Sequence, residues 1–347
     1  MIKVDLITGF LGSGKTTFIK NYAHYLMSKG EKIGIIENDY GAINIDMLLL
    51  SEALGNDCDL EMVVASDPDC HRRRFKTKLI AMGMQGYDRV IVEPSGIYDV
   101  DEFFDVLYEE PLDRWYEIGN VIAIVDAKLE NEMSKASNYL LVSQIAEAGK
   151  VIFSKTDEAT RADIQQTISH MNCALEQFQC KRRYTEPDTD PADITVSEER
   201  LNKTTSSSSN HQNDTVIKSW DKLTNEDYEQ IAACGYVLQD HIKMMVTEDN
   251  NYRSLFYFHV TMPNDRLKDM VTELFGNSSY GHILRIKGFI PTAPDHWIQL
   301  NATASEIDIT PANNGQEVII VIGEALNEEK ISDYIKHCSD SQNFSDL

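Results

Sequence analysis

Residues 9–16 form the glycine-rich run GFLGSGKT, which fits the pattern G-x-x-x-x-G-K-[ST] at every position. The run from Ile2 to Thr8 is rich in β-branched and apolar residues, as in a short buried parallel strand, and the run from Thr17 to Ser28 has the pattern of a helix. Between a strand and a helix, such a loop points backbone N–H groups at phosphate oxygens, and the helix N-terminus adds partial positive charge. The run therefore predicts a phosphate-binding loop (P-loop) rather than a turn without a ligand.

Two side chains of this loop have predicted chemical roles. Lys15 is expected to reach the β- and γ-phosphates of a nucleotide and to act catalytically by stabilising charge on the transferring group. Thr16 is expected to place its hydroxyl on Mg²⁺. The residues predicted to bind the nucleotide in this loop are Gly9, Gly12, Ser13, Gly14, Lys15, Thr16 and Thr17.

The first half of the chain alternates between strand and helix patterns. Further strands are predicted at 32–37, 62–65, 87–93, 120–126 and 150–153, with helices at 72–84 and 131–148. Such alternation predicts an α/β domain with a mostly parallel sheet covered by helices on both faces. Ligands of such sheets bind outside the carboxyl ends of the strands, where the motifs of this chain fall.

The pattern changes at about residue 181. The chain is polar to about residue 216, with four consecutive serines at 206–209, which favours a linker or a surface insertion. Beyond it, helices are predicted at 220–235, 265–275 and 328–337, and strands at 255–261, 283–290, 297–301 and 318–322. We therefore predict a P-loop domain at 1–180, a linker or insertion at 181–216 and a smaller α+β domain at 217–347.

The charge and cysteine content argue against several classes of partner. The chain of 347 residues has 56 acidic and 32 basic residues, a net charge of −24. This balance argues against nucleic-acid binding and against docking on anionic membranes, both of which rely on basic surfaces. The six cysteines have no regular spacing, and neither a signal peptide nor an apolar run of membrane-spanning length is evident. We therefore expect a reduced, cytoplasmic protein.

The strand predicted at 87–93 ends in Glu93-Pro94-Ser95-Gly96. An acidic residue at the end of a strand beside the P-loop can hold Mg²⁺, directly or through water, or orient the attacking water, so Glu93 is a second predicted catalytic residue. Gly96 is expected to turn its backbone N–H towards the γ-phosphate, and the loop would then sense hydrolysis. The alternative is an ordinary turn between a strand and a helix.

The strand predicted at 150–153 is followed by Ser154-Lys155-Thr156-Asp157. In the guanine-binding motif N-K-x-D, the aspartate accepts hydrogen bonds from the two nitrogen donors of guanine and the lysine stem covers the base. Adenine lacks this donor pair and would leave a carboxylate at Asp157 unpaired. Lys155 and Asp157 therefore predict guanine binding, although serine replaces the asparagine.

Taken together, these residues resemble the CobW family of metal-related GTPases, relatives of HypB and UreG. The resemblance is carried in order by residues 8–17, 37–41, 93–96, 125–127, 143–146, 154–157 and 284–289, the last similar to the R-x-K-G-F signature of the family's C-terminal domain. It implies GTP and Mg²⁺ as ligands and a place for Asp39 in the first switch near Mg²⁺. It also implies that the second domain is a regulatory or client-contact module.

The chain departs from this family where the family usually has G-C-x-C-C. Here the sequence is Ser66-Asp67-Pro68-Asp69-Cys70-His71, so that Asp67 and Asp69 replace two cysteines and Cys70 keeps the third. A carboxylate and thiolate set is able to bind Zn²⁺ or Co²⁺, but with less selectivity against harder ions. The same residues also have the pattern of a turn with an aspartate that caps the following helix. The sequence leaves metal site and cap open, with Cys58 as a further candidate ligand.

Arg72, Arg73 and Arg74 follow this motif. One of them could act as an internal arginine finger, but a solvated helix face is the favoured interpretation.

These features predict a GTP-hydrolysing, metallochaperone-like protein that delivers a metal or a metal cofactor to a client protein. The alternative is a GTP-driven chaperone that docks a client without a metal site of its own. A small-molecule P-loop kinase would leave Lys155 and Asp157 without a function. The expected partners are GTP or GDP and a client metalloprotein or cofactor-dependent enzyme, with no nucleic acid and no membrane.

Overall fold

The computed structural model describes residues 1–38, 45–55, 58–63, 68–130, 132–186, 214–244, 252–293, 296–313 and 315–339. At residues 45, 48–49, 68–70 and 293 it describes the backbone alone. None of the helices within these ranges is long and apolar enough to cross a membrane.

The first domain is built on a parallel sheet of seven strands in the order β3-β2-β4-β1-β5-β6-β7. The strands are β1 (Ile2–Thr8), β2 (Ile33–Asn38), β3 (Asp59–Val63), β4 (Arg89–Pro94), β5 (Tyr116–Asp126), β6 (Lys150–Ser154) and β7 (Thr215–Ile217). The predicted α/β class with a parallel sheet is thus confirmed.

Helices cover both faces of this sheet, which explains why strands such as β4 and β6 have consecutive apolar residues in their interior. The helices are α1 (Lys15–Ser28), α2 (Ile45–Leu54), α3 (Pro68–Gly83), α4 (Val100–Leu107), α5 (Leu112–Trp115), α6 (Lys135–Ala146), α7 (Arg161–Gln177) and α8 (Asn225–Ile231). Leu6 packs on the face of α3, α4, α6 and α7, whereas its neighbour Ile7 packs on the face of α1, α2 and α8. Because the strands are parallel, the carboxyl ends of β1, β4 and β6 lie at one edge of the sheet, between the two layers of helices.

The first domain extends beyond the boundary predicted at residue 217. Strand β7 pairs with β6, with Val216 opposite Ile152, and Tyr228 of α8 stacks on Tyr25 of α1 at 5.3 Å between ring centroids. The segment predicted as a linker from 181 also begins inside the domain, because the buried Arg182 donates to the carbonyls of Ala146 and Ala148. A strand of three residues after a polar run has too little periodicity for sequence patterns to place it.

The second domain is an antiparallel sheet of five strands in the order β11-β10-β9-β12-β8. Its strands are β8 (Tyr252–Phe258), β9 (His282–Ala293), β10 (His296–Ala302), β11 (Ile307–Ala312) and β12 (Val318–Glu324), and its helices are α9 (Asn264–Gly276) and α10 (Glu328–Cys338). This is the predicted α+β domain, with β11 as a strand that the sequence analysis did not identify.

The two faces of the second sheet contact different parts of the molecule. Ile286 and Ile290 of β9 pack among residues of α9 and α10. Phe289, on the opposite face, belongs to a cluster against which Leu11 of the P-loop packs. Because side chains alternate along a strand, Arg285 and Lys287 share the face of Phe289 and are directed at the first domain.

Candidate functional site

The P-loop connects β1 to α1 and adopts backbone conformations that only glycine accepts readily. Gly9 has φ 148°, and a Cβ atom there would lie 2.3 Å from the carbonyl oxygen of Ile124. Gly14 has φ 86° and is the left-handed N-cap residue of α1. The loop therefore lies close against β5, with the N-terminus of α1 at its end.

Lys15 and Thr16 are oriented into the concave side of this loop. Lys15 is buried, and its Nζ donates a hydrogen bond to the carbonyl oxygen of Gly9 at 2.9 Å. The Thr16 hydroxyl donates to Oε1 of Glu93 at 2.9 Å, which brings together two of the residues predicted to act around Mg²⁺. Oxygen ligands of this kind are those that Mg²⁺ prefers, so Thr16 and Glu93 fit this ion.

Glu93 is paired with Glu37, which the sequence analysis did not select as a site residue. The two lie opposite each other on β4 and β2, and their carboxyl groups are hydrogen-bonded. Burial raises the pKa of Glu93, while the hydrogen bond with Glu37, the charge of Lys15 and the hydroxyl of Thr16 offset this only in part. A divalent cation would supply the positive charge that favours the ionised form. An acidic residue at the end of the apolar strand β2 is the signal that could have identified Glu37.

Gly96 lies directly against the P-loop. A Cβ atom at this position would be 2.7 Å from the backbone nitrogen of Leu11, so no larger residue fits without movement of the loop. Gln144 of α6 donates to the carbonyl oxygen of Gly96 at 3.0 Å and holds the turn in place. The predicted γ-phosphate contact of the Gly96 N–H remains a prediction.

Lys155 and Asp157 line the same cavity as the P-loop. Lys155 has the left-handed φ of 52°, and its Nζ lies 2.9 Å from Oδ2 of Asp126 and 3.0 Å from Oε2 of Glu306. Burial alone would lower the pKa of Lys155, but these two carboxylates outweigh it and raise the pKa. Asp157 is exposed, and its contact with guanine remains a prediction.

Both domains contribute to this cavity, which has a volume of about 360 Å³. From the first domain it also receives Asp46 of α2 and Trp220, which lies about 3.7 Å from the position of a Cβ atom on Gly14. From the second domain come Arg285, Lys287, Gln299, Asn301 and Glu306. The sequence analysis gave no site role to these residues, because their position depends on how the two domains pack.

Asp46 is held by the two cations of β9. Lys287 Nζ lies 3.1 Å from Oδ2 of Asp46, and the Arg285 guanidinium lies 3.6 Å from Oδ1. Burial alone would raise the pKa of Asp46, but Lys287, Arg285 and, less strongly, Lys15 hold it well below its usual range.

The predicted metal motif lies mostly outside what the structure describes. Asp39 and Asp67 are outside the described residues, and the side chains of Asp69 and Cys70 are not described, although both belong to the first turn of α3. Among the described residues, no group of three or more histidines, cysteines or acidic residues is arranged to hold a metal ion. Burial raises the pKa of Cys58 to about 12, which disfavours the thiolate that a metal ligand requires.

The basic run Arg72, Arg73 and Arg74 lies in the first half of α3. Arg72 Nη2 lies 2.6 Å from Oε1 of Glu109, and Arg73 and Arg74 are exposed. None of the three lines the cavity that contains Lys15. This arrangement agrees with the solvated helix face that the sequence favoured and does not support an arginine finger from this run.

Comparison with known proteins places these features in a family. The family model of the CobW/HypB/UreG nucleotide-binding domain matches residues 3–184, just over half of the chain. The family model of the cobalamin synthesis protein cobW C-terminal domain matches residues 254–339.

Three curated proteins are similar to part of this chain. The zinc chaperone YeiR of Escherichia coli (strain K12) is 30% identical over 46% of this chain and 48% of its own length. The zinc chaperone YjiA of the same organism is 29% identical over 49% and 55%. The zinc-regulated GTPase metalloprotein activator 1 of Schizosaccharomyces pombe is 24% identical over 50% and 44%. The chain spans about half the length of these relatives.

Proposed function

Because this chain belongs to the CobW/HypB/UreG family, we propose that it is a GTPase that couples GTP hydrolysis to the delivery of a metal ion or metal cofactor to a client protein. One observation carries the proposal: the P-loop, Glu93 and the pair Lys155 and Asp157 line a single cavity. Phosphate binding and base recognition are thus available at the two ends of one site, as a nucleoside triphosphate requires.

The residues of the P-loop would bind and activate the triphosphate. In hydrolysis, the oxygen of a water molecule bonds to the γ-phosphorus while the bond from phosphorus to the bridging oxygen of GDP breaks, which gives GDP and inorganic phosphate. Lys15 would stabilise charge on the transferring phosphoryl group, and Glu93 would orient the water or hold Mg²⁺ with Thr16. The bound Mg²⁺ would neutralise charge on the β- and γ-phosphates.

Guanine selection would depend on Lys155 and Asp157. The proposed contact is the Asp157 carboxylate with the two nitrogen donors of guanine, and the Lys155 stem would cover the base. The backbone conformation of Lys155 and its ion pairs with Asp126 and Glu306 would hold this lysine at the cavity wall.

Zinc is the cargo that the relatives favour, since YeiR and YjiA are named zinc chaperones. The name of the third relative, a metalloprotein activator, favours a client that receives metal. In this chain the proposed ligands are Asp67, Asp69 and Cys70, with Co²⁺ as a second candidate ion. The competing proposal, a client-docking chaperone without its own metal site, predicts no specific binding of Zn²⁺ or Co²⁺ in any nucleotide state.

The coupling is tested by loading the full chain with Zn²⁺ and recording release to a fluorescent zinc indicator. With GTP, zinc should be released at the same rate as phosphate is produced. With ATP or a non-hydrolysable GTP analogue, zinc should stay bound. The Lys15→Ala variant should retain its zinc with GTP. Zinc release that is independent of hydrolysis, or hydrolysis without any zinc bound, would contradict the coupling.

A further inference from the structure

Resting on the proposed function, we propose that Arg285 and Lys287 of the second domain are ligands of the terminal phosphate of the nucleotide, which they bind by exchanging Asp46 for the phosphate. The two residues lie on the face of β9 that is directed at the P-loop, and both line the cavity of Lys15, Thr16 and Glu93. They would therefore complete the phosphate site from the other domain and make it selective for a triphosphate.

The surroundings of the two cations favour an anionic ligand. Lys287 is only 3% exposed, and a buried ammonium needs a negatively charged partner. Asp46 is one such partner, and it is shared between Lys287 and Arg285 at 3.1 Å and 3.6 Å. One carboxylate is thus shared by two cations. The charge of Lys15 also favours the ionised form of Asp46.

A smaller cavity shows where the exchange would take place. Its lining includes Gly96 together with Lys15, Glu93, Asp46, Arg285 and Lys287, and these last five residues also line the main cavity. The expected position of a γ-phosphate, between Lys15 and the turn at Gly96, falls among them. A terminal phosphoryl group carries more charge than a carboxylate and accepts the paired N–H groups of an arginine, so it competes well for these cations.

The geometry of Arg285 already suits such a contact. Its Nε donates to Oδ1 of Asn301 on the neighbouring strand β10 at 3.1 Å. This hydrogen bond holds the Arg285 side chain in place. Its Nη2 atom lies 3.6 Å from Oδ1 of Asp46, and this outer part of the guanidinium is the part that would contact a phosphate. The backbone N–H groups of the P-loop would bind the β-phosphate, so a nucleotide that ends at the β-phosphate would not reach the two cations.

Release of Asp46 from the two cations would also change the contact between the first and second domains. Asp46 lies in the first turn of α2, and α2 packs between β3 of the first domain and β9 of the second. When the phosphate takes over Arg285 and Lys287, this ion-pair contact between α2 and the second domain is lost. Triphosphate binding would thus loosen α2 from β9, and hydrolysis would restore the contact.

The test measures the dissociation constants of GDP and of a non-hydrolysable GTP analogue, with Mg²⁺, on four variants of the full chain. Arg285→Gln and Lys287→Met should each weaken the analogue about tenfold or more, since a hydrogen bond to a charged group is lost, and should change GDP by no more than about twofold. Asp46→Asn removes the competing carboxylate and should strengthen binding of the analogue. Arg253→Ala is the control, because its exposed pair with Glu328 in the same domain lies away from the cavity.

The sign of the Asp46→Asn effect separates phosphate binding from a purely structural contact. If the ion pairs only hold α2 on β9, all three site variants should weaken both nucleotides alike, with a matching loss of thermal stability. That result would overturn the inference, as would unchanged affinities in the Arg285 and Lys287 variants. Failure of the unmodified protein to bind either nucleotide would instead overturn the proposed function itself, and this inference with it.

Discussion

Lys15 is the residue on which the proposed phosphate chemistry depends most. It is buried, and its Nζ donates a hydrogen bond to the Gly9 carbonyl within the loop. Lys15→Ala should reduce GTP turnover by about a hundredfold or more, because the charge nearest the transferring phosphoryl group is removed. Phosphate release measures this, with Lys20→Ala on the exposed side of α1 as the control. Turnover within about threefold of the unmodified protein would contradict the assignment.

Asp157 carries the predicted preference for guanine. We expect GTP and GDP to displace ATP at equal concentrations, and Asp157→Asn to reduce that preference by weakening guanine binding, since an amide cannot accept from both nitrogen donors. Competition against a fluorescent GTP derivative measures the preference. The exposed Asp113, in α5, provides a matched control as Asp113→Asn. Equal affinity of the unmodified protein for ATP and GTP would leave residues 154–157 as an ordinary loop.

At the level of helices and strands, the sequence predicted those whose patterns are local. The P-loop with its flanking strand and helix, β4 and β6 appear within about two residues of their predicted bounds, because each is a continuous buried run. Helix α8, inside the helix predicted at 220–235, begins with a capping box in which Thr224 Oγ1 accepts from Asp227 N and Asp227 Oδ2 accepts from Thr224 N.

The features that the sequence analysis did not predict depend on packing between residues that are far apart in the chain. Strand β7 is recognisable only by its pairing with β6, more than sixty residues earlier. Likewise, the placement of Arg285 and Lys287 beside Asp46 needs the second sheet to lie on the first domain. The motif that contains them was visible in the sequence, but its contact with the phosphate site was not. The end of α6 gives another example, since Glu147 there is buried by a segment that returns from beyond α8.

The burial of Glu147 in this contact between the end of α6 and the segment around Val237 should make the stability of the protein depend on pH. The backbone carbonyl of Glu147 accepts from the N–H of Val237, and burial and then Asp101 raise the pKa of its carboxyl to about 7. A carboxyl with a raised pKa binds its proton more tightly in the folded state, so its contribution to stability is full below the unfolded pKa and is lost as pH rises through about 7. Glu147→Gln should therefore gain stability relative to the unmodified protein between about pH 5 and about pH 8.

Thermal denaturation at these two pH values measures the difference. The exposed Glu229 of α8 serves as a control in the form Glu229→Gln, which should show no such trend. A stability difference between the Glu147→Gln variant and the unmodified protein that does not change with pH would refute the prediction.

At the scale of the whole molecule, the question is whether metal and nucleotide occupy coupled sites. Residues 64–67 follow β3, and β3 pairs with β2, whose Glu37 is hydrogen-bonded to Glu93 on β4. Strand β3 therefore ends, at Val63, at the same edge of the sheet at which the nucleotide cavity lies. A metal bound there would share that edge with the γ-phosphate site, so its affinity should depend on the nucleotide.

Cys70→Ser decides between the metal site and the cap. The thiolate is the softest ligand in the proposed set, so its loss should weaken Zn²⁺ and Co²⁺ binding strongly while GTP affinity stays nearly unchanged. Affinity should also fall at lower pH, because protons compete for the thiolate. If Asp67 only caps α3, its replacement should lower stability by about 1 kcal/mol, and Cys70→Ser should change neither property. Calorimetric titration of both ions into the protein bound to a GTP analogue measures the effect, with the exposed Cys173 replaced as Cys173→Ser for comparison. Identical isotherms for the Cys70→Ser and Cys173→Ser variants would remove the metal site and leave the client-docking chaperone as the function that fits this chain.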